Sequence, residues 1–125
     1  MRKFLVAMNV ALLVFLVTAC SDDATASSEP TVYVAVRDGN IAKYWKNEIC
    51  VSLTDGTRDM VAQAIAVIGS DIYVAGYEDD PEMSKAVYWK NGTAVLLTNG
   101  VDSSRLYSIA VIGSDVYVAG YQHAK

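Results

Sequence analysis

Residues 64–77 read AIAVIGSDIYVAGY, and residues 108–121 read SIAVIGSDVYVAGY. Twelve of these fourteen positions match at an offset of 44. Each stretch is two Val/Ile/Tyr-rich runs around a Gly-Ser-Asp turn, a composition suited to β-strands joined tightly. Working outward, residues 41–56 (IAKYWKNEICVSLTDG) match residues 85–100 (KAVYWKNGTAVLLTNG) at nine of sixteen positions, again at offset 44. Val32-Tyr33-Val34-Ala35 matches the residues around Tyr73 at offset 40. The difference in offset lies in one connection, where RDGN in the first copy becomes GYEDDPEMSK in the second. Insertions confined to one loop are what a repeat scaffold tolerates.

One full repeat predicts four strands, near 64–68, 72–77, 86–89 and 93–97. Asn91-Gly92 is the strongest hairpin signal, because both residues accept positive φ. Asn47-Glu48, at the same place in the first copy, lacks the glycine and predicts a less favourable turn. No sustained helical period occurs after residue 20. The expected fold class is therefore all-β, built from four-stranded antiparallel units of about 44 residues.

Composition sets limits. The chain has 125 residues, 53% of them hydrophobic, and a formal net charge of −4. That length holds one small domain. Apolar and aromatic residues recur to the C-terminus, which excludes a disordered chain. No basic patch is present to neutralise phosphates, so no nucleic-acid partner is expected.

The first twenty residues read as an address. Arg2 and Lys3 precede sixteen uncharged residues, Phe4–Ala19, the pattern of a secretory signal. The run ends Val17-Thr18-Ala19-Cys20, which resembles the bacterial lipobox, with Val17 in place of the usual leucine. The resemblance implies cleavage before Cys20, lipidation of Cys20 and attachment to a membrane surface without spanning it. A transmembrane anchor is the competing reading, since residues 4–21 only reach the lower limit for a span. SDDATASSEP (21–30) is small, acidic and Pro-terminated, as a flexible tether should be. Ser21 after the cysteine does not suggest inner-membrane retention. The expected organisation is a signal peptide (1–19), a lipidated cysteine and tether (20–30), and a repeat domain (31–125). The expected location is the bacterial cell envelope, at the outer rather than the inner membrane.

Four short strands repeating every 44 residues resemble a β-propeller blade. The wording VYVAGY and VYWKNG is similar to propeller-type repeats of exported bacterial proteins. The WD dipeptide is absent. The resemblance implies about two blades plus one strand, where a closed propeller has four to eight blades. Three outcomes follow: an open unit, a ring closed by a homo-oligomer whose chains complete one another's broken blade, or a truncated piece of a longer propeller protein.

Few residues suggest chemistry. Trp45 and Trp89 share a repeat position, as do Tyr44 and Tyr88; they are either platforms for sugar rings or packing between units. Adjacent Tyr and Trp in a strand point to opposite faces. Asp71 and Asp115 are expected to hydrogen-bond their own Gly-Ser-Asp turns. The acidic stretch 78–82 lacks the spacing of a calcium loop and reads as a solvated loop. His123 is the single histidine, so neither a zinc cluster nor a Ser-His-Asp set is expected. Cys50 aligns with Ala94 and is expected to be small and buried. No cofactor, no metal and no catalytic residue is predicted. The function expected is non-catalytic binding or scaffolding, with a glycan or a protein as ligand.

Overall fold

A computed structural model describes residues 29–124 of the chain. The expected signal peptide, Cys20 and most of the expected tether lie outside these residues. The described chain is all-β, with nine strands: β1 (Tyr33–Asp38), β2 (Ile41–Lys46), β3 (Ile49–Ser52), β4 (Met60–Ile68), β5 (Asp71–Glu78), β6 (Lys85–Lys90), β7 (Thr93–Leu96), β8 (Ser103–Ile112) and β9 (Asp115–His123). They form three antiparallel sheets in the orders β1-β2-β3, β4-β5-β6-β7 and β8-β9. Every neighbour in a sheet is the next strand in sequence, so each connection is a hairpin. β4 begins four residues before the run expected from the sequence, and the other three strands of that sheet match to within a residue.

Pairing recurs with the sequence. Val34 faces Trp45 across β1–β2, and Val74 faces Trp89 across β5–β6. β4–β5 shifts register between Ala62 and Ala64, and β8–β9 shifts between Leu106 and Ser108. Each bulge fits against a glycine. A Cβ on Gly76 would lie 1.8 Å from the Val61 carbonyl oxygen, and one on Gly120 would lie 2.0 Å from that of Arg105. No other residue can stand there without moving the strand.

The hairpin ends also recur. Asn47 Oδ1 accepts from Val32 N–H at 2.9 Å, and Asn91 Oδ1 accepts from Ile72 N–H at 2.9 Å. The turns themselves differ. Asn91 and Gly92 have φ of 50° and 86°, as a two-residue hairpin with both central residues left-handed requires. In the equivalent Asn47-Glu48 turn only Asn47, at 55°, has positive φ. Asp71 does not bond within its own turn as expected: its carboxylate accepts from Asn91 Nδ2 at 3.0 Å, which ties the β5 start to the β6–β7 turn.

The sheets stack face to face. Val74, Val87 and Trp89 on one side of the middle sheet join Ala42 in one buried cluster, with Ala35 and Tyr44 of the first sheet and Leu53 just after β3 packed against it. Ala75 and Ala86, on the other side, join Leu106 in a second cluster, with Ile109 and Val118 of the last sheet against it. Met60 N–H donates to Asn40 O at 3.1 Å and Ser104 N–H donates to Ser84 O at 2.9 Å, equivalent bonds that tie each sheet to the next. Complete burial of a large apolar side chain contributes roughly 1.5–3 kcal/mol, and Val74, Val87 and Trp89 are the large apolar residues so buried. Cys50, expected to be buried, is exposed. It lies on β3, the outermost strand of its sheet, where few atoms cover it.

Candidate functional site

The β3–β4 connection forms the site. A cleft of about 500 Å³ opens there, with Leu53, Met60 and Trp89 among its apolar walls and Asp55, Thr57 and Arg58 among its polar ones. Its rim is held by local bonds. Thr54 Oγ1 accepts from Ala42 N–H at 3.1 Å, which pins the connection to β2. Asp55 Oδ1 accepts from both the backbone N–H of Thr57 at 2.9 Å and its hydroxyl at 2.7 Å. Those two bonds hold the Asp55 carboxyl below its ordinary 3.8, so it carries charge at neutral pH.

Thr57 and Arg58 also border a second, polar cavity of about 390 Å³ that includes Glu78, Asp79 and Lys85. Glu78 is 6% exposed. Burial raises its pKa, but hydrogen bonds from Arg58 at 2.6 Å and Lys85 at 3.1 Å outweigh this and hold it below the ordinary 4.5. Asp79 receives Arg105 at 2.7 Å, and the Arg37 guanidinium lies 3.8 Å away. Arg37 in turn chelates Asp59 through Nη2, at 2.7 and 2.9 Å. Arg105 also lies over the Tyr77 ring, 4.6 Å from its centroid. Burial opposes the Arg105 charge, yet Asp79 and the neighbouring tyrosines raise its pKa above the ordinary value.

This belt of charges, drawn from all three sheets, corrects the expectation that 78–82 is merely a solvated loop. Glu78 ends β5 inside the stack, where an unpaired carboxylate is costly, so basic side chains gather on it. The sequence held one signal: Arg37, Arg58 and Arg105 each fall near a sheet end. Their partners lie 20 to 26 residues away, beyond any local pattern.

The four aromatic candidates do not converge. Trp89 is 1% exposed and belongs to the cluster between the first two sheets. Its ring borders the cleft but offers almost no face for stacking. Trp45 is 39% exposed, on the uncovered side of the first sheet. Tyr44 packs on the first cluster and Tyr88 on the second, so neighbouring Tyr and Trp do take opposite faces. Among the described residues, no group of three or more His, Cys, Asp or Glu side chains is placed to hold a metal ion. The arrangement can hold a small polar ligand by hydrogen bonds above an apolar floor. No protein-family model, curated protein or solved structure matches the chain.

Proposed function

We propose that the chain is a lipoprotein of the bacterial cell envelope, anchored through Cys20, whose propeller-like blade repeats serve binding or scaffolding rather than catalysis. The recurrence of bulge, glycine, asparagine bond and sheet-to-sheet bond at one spacing supports the blade reading. A stack of hairpin-connected sheets is a rigid frame whose connections are free to vary, and connections are where binding residues collect. The β3–β4 cleft is such a place. Anchoring is tested by growing bacteria that express the full chain with labelled palmitate. The wild type should carry label in the membrane fraction. Cys20→Ser should lose the label, and label retained in that variant would overturn the anchor, because Cys50 would then be the acceptor.

A second reading is favoured by the polar rim of the cleft, where Thr54, Asp55, Thr57 and Arg58 border apolar walls: a lectin-like role in which the repeats bind glycans. Charged and hydroxyl groups around apolar walls suit sugar rings, which have apolar faces and polar edges. A glycan array probed with the full chain should then show a hit that Arg58→Ala weakens about tenfold. An array without hits removes the glycan reading and leaves the scaffold.

A further inference from the structure

The two ends of the sheet stack present the two halves of an interface that the molecule already contains twice. Inside the stack, one face type is built on Val74 and Trp89, and the other on Ala75 with Tyr73 and Tyr77. Their exposures are 0%, 1%, 0%, 4% and 6%. The first sheet turns the equivalent of the former face outward, with Val34 at 45% and Trp45 at 39%. The last sheet turns the equivalent of the latter outward, with Tyr117 at 55%, Tyr121 at 45% and Ala119 exposed. Both internal interfaces bring an alanine of the second type and a valine of the first into one cluster: Ala35 with Val74, and Ala75 with Val118. Ala119 and Val34 are the same two positions, left uncovered at opposite ends.

We infer that a second copy of this chain docks here, its first sheet stacking through Val34 and Trp45 on the Tyr117–Tyr121 face of the last sheet. The contact is heterologous, head to tail, and repeats into a ring or a filament according to its angle.

Strand donation, the other way for copies to meet, conflicts with one residue. A strand added to the free edge of β1 in the register of β4 on β5 would carry its bulge against position 36. That position holds Val36, where Gly76 and Gly120 leave only 1.8 and 2.0 Å for a Cβ. The free edge of β1 has lost the glycine the joint needs, whereas the face beside it keeps Val34 and Trp45. Val36 therefore counts against neighbouring chains completing a broken blade in that register. One substitution weakens the face: Lys43, paired with Asp38 at 2.5 Å, stands where the middle sheet has Val87. A buried charge pair is often worth less than an apolar replacement.

The inference rests on the stacking of the sheets and not on the anchor or the blade reading. It is tested in intact bacteria with two co-expressed full-length copies, both carrying Cys50→Ala. One has Val34→Cys, the other Ala119→Cys, and a short bismaleimide is added. A mixed-copy cross-link is expected, with neither single variant linking to itself. Trp45→Lys, at an exposed position, should lower the rate of mixed linking about thirtyfold or more, as loss of an interface tryptophan does. Lys43→Val should raise it about fivefold. Links of Val34→Cys only to itself would mean a symmetric dimer and overturn the inference, as would no link at all. Copies with Cys50→Ala alone report whether Cys20 carries a free thiol, so failure of the anchor is seen separately.

Discussion

The segment of residues 32–56 and the segment of residues 72–100 run through the same hairpins with the same pairings, yet they live in different surroundings. In the second, β5 and β6 are covered on both faces, and Trp89 is 1% exposed; in the first, one face is bare and Trp45 is 39% exposed. The residues that differ between the copies follow that contrast. Gly76, needed against the β4 bulge, becomes Val36 where β1 has no such neighbour. Val87, buried, becomes Lys43. Local sequence therefore sets the hairpin, and the neighbouring sheet sets what each residue in it is worth. Equivalent substitutions in the two copies should separate these two contributions.

The largest separation is expected at the tryptophans. Trp89→Ala opens a cavity among Ala42, Met60, Val74 and Val87 and should cost about 3–5 kcal/mol. Trp45→Ala should cost less than about 1 kcal/mol, since much of its ring already meets water. Urea unfolding of the two variants measures the gap. Equal losses would mean that the bare face is covered in solution.

The bulge glycine comes next. Gly76→Ala places a methyl group on the Val61 carbonyl and should cost about 2–3 kcal/mol. Val36→Ala, at the same place in the first copy, should change stability by less than about 1 kcal/mol. Thermal melts of both variants show whether β1 has an unpaired edge as drawn.

These pairs also mark what the sequence made legible. The offset of 44 announced the hairpins, their turns and the alternation that sends Tyr88 and Trp89 to opposite faces, because those properties depend on residues a few positions apart. The sequence did not show which copy would be covered. Trp45 and Trp89 read alike, and their burial depends on sheets whose contacts cross twenty or more residues. Cys50 differs from expectation for another reason: its counterpart Ala94 is itself exposed, on β7 at the edge of its own sheet, so a small residue at this position does not mark burial. The cleft was invisible in advance, since its walls come from β3 and the β3–β4 connection on one side and from β6 and β7 on the other. The charge belt was half visible, as acidic residues at 78–80 and scattered arginines without their pairing.

A pH titration sharpens the comparison at a smaller scale. Glu78 and Asp38 end β5 and β1 at equivalent positions, but Glu78 is buried between Arg58 and Lys85 while the Asp38 side chain is 67% exposed. The folded pKa of Glu78 is depressed below 4.5, so its contribution is fully present above that pH. It is lost as pH falls through the lower, folded value. Stability should therefore decline on acidification below about pH 4.5. Glu78→Gln should flatten part of that decline and cost about 1–3 kcal/mol at neutral pH, since two cations lose their shared acceptor. Asp38→Asn, at a side chain 67% exposed, should cost less than about 1 kcal/mol at neutral pH. Denaturant midpoints across pH 3–7 for both variants decide it, and an unchanged acid limb in Glu78→Gln would remove Glu78 as the group responsible.

The smallest difference lies in the turns. Gly92 has φ of 86° and open space around it, so adding a Cβ there meets no neighbour, and any cost is purely conformational. A non-glycine residue held left-handed costs about 1–2 kcal/mol, which Gly92→Ala should show at the low end. Glu48 occupies the matching place without positive φ, so Glu48→Ala should be close to neutral. Glu48→Gly tests the turn more sharply. If the Asn47 turn then moved to the two-residue geometry of Asn91-Gly92, the first hairpin would gain stability despite the added chain entropy of glycine. If it kept its present form, the glycine would only loosen the unfolded chain, and stability would fall by a few tenths of a kcal/mol. The sign of that one change shows whether the bare first sheet sets its own turn or accepts the geometry that the buried copy prefers.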